Sequence, residues 1–452
     1  MNQSTKNVVF MGFSFFCVSI ALNTAAFVTE PSIHGMSNIS NINPHAGYYS
    51  LAIMYAMFTL GTIFATPLVD VLRPKWAMCL ASLGYAAYYG TFLLVHELLL
   101  YIMSVVLGFS AAILWTGHGT YIAQNSEKNN VDRNSAITLG FAQMALIVGA
   151  FFVFIVFSST AYHDLFSPFT VKLMFGAFSL CSLVSAILFA FIPSSSEADS
   201  KERSYLRVLK DVEILITTPN MLLLCVSFAF NGLQIGFWMI VYPTILSFTR
   251  SLIKDFKTAV PLVSIFIGIG AVVAATIVTA YGKHIHKVGR KTILYLGMTI
   301  HLVCFTLIYL SSPKESSLHP TDSTDTVITP TIYLVVFIGF LLGIADIIWF
   351  QQTLAFVCDA YPHNETPAFA ISRFLQALMS GLVMIYSSAF SLLFQMVLAS
   401  FLSVSACVTF TILERNLKLD IGNESFFKRL RKRDVYPDDF DIRNISARPS
   451  VY

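Results

Sequence analysis

The chain has 452 residues, of which 56% are hydrophobic and 12% charged; soluble domains carry roughly 25% charged residues. That excludes a water-soluble globular protein and points to an integral membrane protein, whose obvious partner is the lipid bilayer. The formal net charge of +3 is placed too unevenly to indicate a partner, and no nucleic-acid partner is expected.

In chain order, apolar runs fall near 7–29, 47–70, 76–95, 98–124, 136–158 and 170–192. A second set follows near 220–248, 259–282, 292–311, 331–357, 367–388 and 391–413. Lipid cannot satisfy exposed backbone groups, and a spanning helix needs ~20 largely apolar residues. The expected fold class is therefore an all-α membrane protein of twelve transmembrane helices in two pseudo-symmetric six-helix bundles. The division is a first half over 1–192, a cytoplasmic linker over 193–218, a second half over 219–413 and a polar, basic cytoplasmic tail over 414–452. The first run reads as a spanning helix rather than a signal peptide, because only Lys6 leads into it and its later twin cannot be cleaved.

That twin reveals a duplication. Cys17-Val18-Ser19-Ile20-Ala21-Leu22-Asn23 returns as Cys225-Val226-Ser227-Phe228-Ala229-Phe230-Asn231, with only apolar exchanges. The turn Asp70-Val71-Leu72-Arg73-Pro74-Lys75 lies opposite His286-Lys287-Val288-Gly289-Arg290-Lys291. Gly108 to Trp115, then Gln143, echoes Gly343 to Trp349, then Gln376. The spacing between copies widens where the tight turn at His96-Glu97 gives way to the long polar insert Ser311 to Pro330. Parallel repeats must enter the membrane from the same side, which requires an even number of spans in each half.

Lysine and arginine set the orientation. With a cytoplasmic N-terminus, only Lys172, Arg250, Lys254, Lys257 and Lys314 of the 28 fall on the outer side; Arg373 counts as the inner end of the eleventh helix. Both termini are then cytoplasmic. Asn38-Ile39-Ser40 is the expected glycosylation acceptor, in the first outer loop. Lys428 to Arg433 is either a solvated run beside anionic lipid or a receptor-read retention address.

Several membrane-depth residues are candidates for function. Asn23 and Asn231 are costly in hydrocarbon unless hydrogen-bonded, so they serve either as glue between helices or as cavity-lining groups, with Gln234 one turn further. Asp346 is a lone carboxylate whose first-half counterpart is Ala112, and no membrane-depth cation is an obvious partner. Left ionised and unpaired it would cost at least ~2.5–3.5 kcal/mol, so a neutral acid or a hydrated polar pocket is expected. Trp115 with His118, and Trp349 with Gln352, repeat an aromatic-plus-polar pair in the two halves, and each is a packing pair or a cavity pair. Glu30-Pro31 reads as the outer terminus of the first helix. The seven cysteines are scattered without a paired motif, so neither a disulfide framework nor a metal site or cofactor is expected. No nucleophile–base constellation or phosphate loop is found, which disfavours an enzyme.

The turns carry a family likeness. Gly282-Lys283-His284-Ile285-His286-Lys287-Val288-Gly289-Arg290-Lys291 resembles the cytoplasmic loop signature of the major facilitator superfamily. Asp70, Arg73 and Lys75 keep part of it in the first half, where the glycines are absent. Asp70 could cap a neighbouring helix at Thr366-Pro367. Gly47 to Tyr55, Ala112 to Gly119, Asn125-Ser126-Glu127 and Arg133-Asn134-Ser135 resemble the uncoordinated-93-like, ion channel regulatory branch of that superfamily. The likeness implies a major facilitator fold and an association with potassium-channel regulation or receptor chaperoning, usually with no assigned substrate. Two functions follow as expectations: a transporter of a small solute, or an accessory protein binding a channel or receptor. The second would show a dense, cavity-poor centre.

Overall fold

The computed structural model describes residues 3–125, 131–193, 212–280, 289–361 and 365–431. Its helices are α1 (Gln3–Ser40), α2 (Ala46–Gly90), α3 (Glu97–Gln124), α4 (Val131–Ser159) and α5 (Pro168–Phe191). The second set is α6 (Pro219–Gly236), α7 (Tyr242–Phe248), α8 (Arg250–Asp255), α9 (Ala259–Ala280), α10 (Arg290–Ser311), α11 (Ile332–Ala360), α12 (Glu365–Ser387) and α13 (Leu392–Arg431). Among the described residues eleven helices are long and apolar enough to cross a membrane, and the second arm of α2 accounts for the remaining run at 76–95. The only β pairing among these residues is one isolated bridge, Thr249 with Thr321. The chain is a multi-pass, all-helical membrane protein. Large apolar side chains such as Phe64, Leu94, Phe169, Phe191 and Phe401 stand exposed on its flanks, as lipid-facing residues must.

Helix ends follow local chemistry. Ser167 accepts the Thr170 N–H at the start of α5 with Pro168 at the first helical position, and Thr331 accepts the Leu334 N–H at the start of α11. One expectation is corrected: α1 does not stop at Glu30-Pro31 but continues to Ser40, so Asn38 falls in its last turn. Glu30 instead becomes a buried cap. Its Oε2 accepts the Tyr48 N–H at 2.7 Å in the first turn of α2, and its Oε1 lies 3.3 Å from His45 Nδ1. An anion is favoured at a helix N-terminus, which keeps this carboxylate inside.

The duplicated sequence folds with the same neighbours twice. In the first half α1 packs on α4 and α5, and α2 packs on α3 and α5; in the second, α6 packs on α12 and α13, α9 and α10 pack on α11, and α10 on α13. Across the halves, α2 meets α12 and α4 meets α9. Two glycines show why these pairs sit so close. A Cβ on Gly108 would strike the Met54 carbonyl of α2, and one on Gly343 would strike the Ile267 carbonyl of α9.

The two short turns also match. Gly289 has φ +89° and ψ 138°, and Arg73, its counterpart, has φ +64° and ψ 148°. Only glycine adopts that backbone without steric cost, so Arg73 breaks α2 at a strained residue. Pro74 contributes by holding the preceding residue out of the helical region. The motif thus survives as backbone shape although its glycine is missing. Asp70 and Lys75 flank this break, Asp70 exposed, and Arg290 and Lys291 open α10. Gly282, the linker from 194 to 211 and the tail from 432 lie outside the described residues, as do the side chains of Asn38, Thr366 and Pro367.

Candidate functional site

A cavity of about 200 Å³ lies at the centre, between the two halves. The first half supplies Asn23 from α1, Tyr55, Phe58 and Tyr85 from α2, Trp115 from α3 and Gln143 from α4. The second supplies Trp238, Asp346 and Phe350, then Arg373, Gln376 and Ser380 from α12. Its wall is mainly apolar, with six aromatic rings and two groups of opposite formal charge.

Asp346 is 8% exposed, and its Oδ1 is buried without a hydrogen-bond partner. The Trp238 indole N–H approaches this carboxyl group without reaching good hydrogen-bond geometry. Trp238 is presented by a π-helical turn, Phe237–Val241, inserted between α6 and α7. Such turns rotate the following side chains and concentrate at functional sites. Phe350 stands one turn along α11 from Asp346. Arg373 lies near two ring faces, 5.5 Å from the Trp115 centroid and 5.6 Å from the Phe350 centroid. It donates one hydrogen bond, to Gln376 Oε1 at 3.0 Å. No carboxylate lies within ion-pair distance of it among the described residues.

The sequence candidates divide. Asn23, Trp115 and Asp346 line the cavity. Asn23 also donates to the Ala142 carbonyl at 3.1 Å, so it ties α1 to α4 within its own half. Asn231 opens instead on a side pocket of about 20 Å³ shared with Arg373 and Gln376, room for a single water at most. Its Oδ1 accepts from Gln234 at 3.1 Å, and Gln234 is buried away from the cavity. His118 is buried behind Trp115, 4.4 Å from the Phe15 ring, and is not a wall residue. Trp349 is fully buried, 4.7 Å from the Phe230 ring and against Gly297. Gln352 is likewise buried off the cavity.

Helical phase explains the division. At about 100° per residue, Phe350 is only ~40° from Asp346 around α11, whereas Trp349 is ~60° to the other side and Gln352 ~120°. One face of α11 meets the cavity, and the aromatic-plus-polar pair lies on the next. Arg373 is the residue sequence reasoning missed as a cavity group. The positive-inside tally counts it at the inner helix end, and a long cation two turns into a helix can indeed snorkel to headgroups. The available signal was its spacing from Gln376, on the most amphipathic of the spanning helices.

At the end remote from the N-terminus the halves are tied together. Lys257, just before α9, donates to the carbonyls of Ser158 at 2.8 Å and Thr160 at 2.6 Å, at the C-terminal end of α4. His34 packs at a tilt against Phe248 with centroids 4.8 Å apart, and Phe27 lies 6.1 Å from Trp238. Outside this closure lies a wide depression of about 900 Å³ lined by His34, His163, Asp164, Arg250, Lys254 and Asp322 among others.

This geometry matches known proteins. The nucleoside transporter NupG superposes with a TM-score of 0.65 at 13% identity, covering 91% of this chain and 99% of that one. A peptide transporter POT in complex with sulfate gives 0.65 at 12% identity, covering 91% and 94%. At such identities the likeness establishes the fold, that of the major facilitator transporters. UNC93-like protein MFSD11 of Xenopus tropicalis is 27% identical over 438 residues, covering 92% of this chain and 97% of the relative. The family model described as ion channel regulatory protein UNC-93 matches residues 38–411, well over half the sequence, and the chain belongs to the UNC-93 family.

Proposed function

We propose that this protein is a solute transporter whose two halves rock about the central cavity, with both termini in the cytoplasm. One observation carries the reading: a cavity built by both halves holds Asp346 and Arg373 with unused bonding capacity. Charged and polar groups in the bilayer interior are costly and are kept where a pathway needs them. A protein that had kept the fold only to bind a partner would be expected to fill this space. In a repeat-built transporter the ligand site lies near the midplane between the repeats.

The Lys257 contacts to Ser158 and Thr160, with the His34–Phe248 packing, close the side that the positive-inside pattern assigns to the exterior. The cavity is then reached from outside only after this closure parts. The family description, an ion channel regulator, supports a second reading in which a membrane protein partner is bound instead.

Accessibility separates the two. With the seven native cysteines replaced, Gln143→Cys places one thiol on the cavity wall. A membrane-impermeant maleimide reaching it from both faces, in right-side-out and inside-out vesicles, is the expected result. Lys257→Met should increase labelling from the outer face several-fold. Labelling from one face alone, unchanged by Lys257→Met, rejects alternating access and leaves the partner-binding reading.

A further inference from the structure

We infer that the central cavity takes a small amphoteric solute with an apolar or aromatic body, its carboxylate on Arg373 and its ammonium on Asp346. This deepens the transporter reading and rests on it.

The cavity's acid and base are of opposite formal charge, and neither is fully satisfied by the protein: Trp238 approaches Asp346, and Gln376 takes one donor of Arg373. Asp346 keeps a buried oxygen without a donor. Arg373 offers a single donor to Gln376 and has no carboxylate in reach among the described residues. A guanidinium lying near ring faces keeps its donors in its own plane, free for a two-pronged carboxylate contact. Trp115 and Phe350 provide those rings. The two charges are not paired with each other: Arg373 lies over Phe350, one turn along α11 from Asp346, and no ion pair joins them across the cavity they both line. The space between them is left to a ligand.

The remaining wall selects the body. Tyr55, Phe58, Tyr85, Trp115, Trp238 and Phe350 surround the space with ring surface, and Trp238 beside Asp346 offers an ammonium a ring as well as a carboxylate. The volume of about 200 Å³ is tenfold that of the single-water pocket beside Asn231 at about 20 Å³, which leaves room for a small organic molecule rather than a lone water or ion. A simple anion would leave Asp346 buried and unpaired, and a simple cation would leave the half-buried Arg373 without an anion. A site whose buried polar groups are left unpaired rejects the analogue that fails to meet them.

The test is ligand-induced thermal stabilisation of the full-length protein in detergent. The probes are leucine, phenylalanine and tryptophan as zwitterions, 3-phenylpropionate as the matched anion and phenethylamine as the matched cation. At least one zwitterion should raise the melting temperature at concentrations tenfold below either matched ion. Asp346→Asn should let 3-phenylpropionate match the zwitterion, and Arg373→Gln should do so for phenethylamine. A merely structural role for either residue would not swap the preference, and if one variant fails to fold the other still decides. Equal stabilisation of the unmodified protein by anion and zwitterion, or no response to any zwitterion, overturns the inference. If Gln143→Cys is reached from both faces while no zwitterion binds, transport stands and the ligand class falls. One-sided labelling removes the transporter reading whatever the melting shows.

Discussion

Trp115 and Trp349 occupy matching places in α3 and α11, yet Trp115 fronts the cavity beside Arg373 while Trp349 is sealed against Phe230 and Gly297. The same divergence runs through the two halves. Asp346 stands where the first half has Ala112, and Arg373 stands where, counting back from the Gln143–Gln376 match, the first half has Gly140. Both cavity charges thus come from the second half, while the first contributes rings and the amides of Asn23 and Gln143. Contacts that hold helices together are shared by both copies, as Gly108 and Gly343 show; the amides Gln143 and Gln376 are shared at the cavity too, but its two charged residues belong to one copy alone. Duplication preserved the packing rules and released the chemistry at the centre.

The equivalence of packing is the part with the largest expected effect. Gly343→Val would drive two methyl groups into the backbone of α9, and Gly108→Val would do the same against α2. Overpacking a side chain typically costs ~1–3 kcal/mol when neighbours can shift, and a backbone carbonyl in a packed helix pair shifts little. Neither variant should give a monodisperse peak on size-exclusion chromatography after extraction. A well-folded Gly108→Val beside a collapsed Gly343→Val would break the equivalence of the α2–α3 and α9–α11 contacts.

The tryptophans sharpen the other side of the comparison. Trp349→Ala removes a fully buried indole and should cost ~3–5 kcal/mol. Trp115→Ala empties a wall that already borders open volume, and it forfeits the ring–guanidinium contact, worth ~0.5–2 kcal/mol, with part of its packing on Phe15. Its drop in melting temperature should be less than half that of Trp349→Ala. Equal drops would mean that Trp115 is as much a core residue as its counterpart.

Much of this was legible in the sequence, for a physical reason. Spanning helices announce themselves by apolar length, because lipid allows no other way to satisfy the backbone, and the repeat of Cys17 to Asn23 at Cys225 to Asn231 divides the chain in two. The direction in which each side chain points was harder to read. Trp349 and Gln352 are cavity candidates in the sequence only because their spacing repeats that of Trp115 and His118, and packing is the open alternative. Spacing fixes residues relative to one another, not the rotation of a helix whose whole surface is apolar. Asp346 resisted this ambiguity because an isolated carboxylate has so few tolerable surroundings. Arg373 did not, since its long stem gives it two. Trp238 was hidden because a one-residue π insertion leaves no mark in an apolar run. Glu30 was read as a helix end because proline follows it, although α1 continues and the carboxylate caps α2.

The smallest effect concerns the paired turns, where the halves share a shape that only one of them reaches without strain. Arg73 holds φ +64°, as Gly289 holds φ +89°. A non-glycine residue in such a region costs on the order of 1–3 kcal/mol. Replacing it by glycine also frees the unfolded chain, which returns ~0.4–1 kcal/mol of that gain. Arg73→Gly should therefore stabilise by about 1 kcal/mol and raise the melting temperature by a few degrees at most. Arg73→Lys, which keeps both the charge and the strain, should melt as the parent does, so loss of the cation can be told apart from relief of the backbone. Gly289→Ala imposes on the second half the strain the first already carries, and it should lower melting by a similar amount. If Arg73→Gly and Gly289→Ala shift melting in the same direction, the two turns do not share one backbone requirement, and their correspondence ends at the sequence.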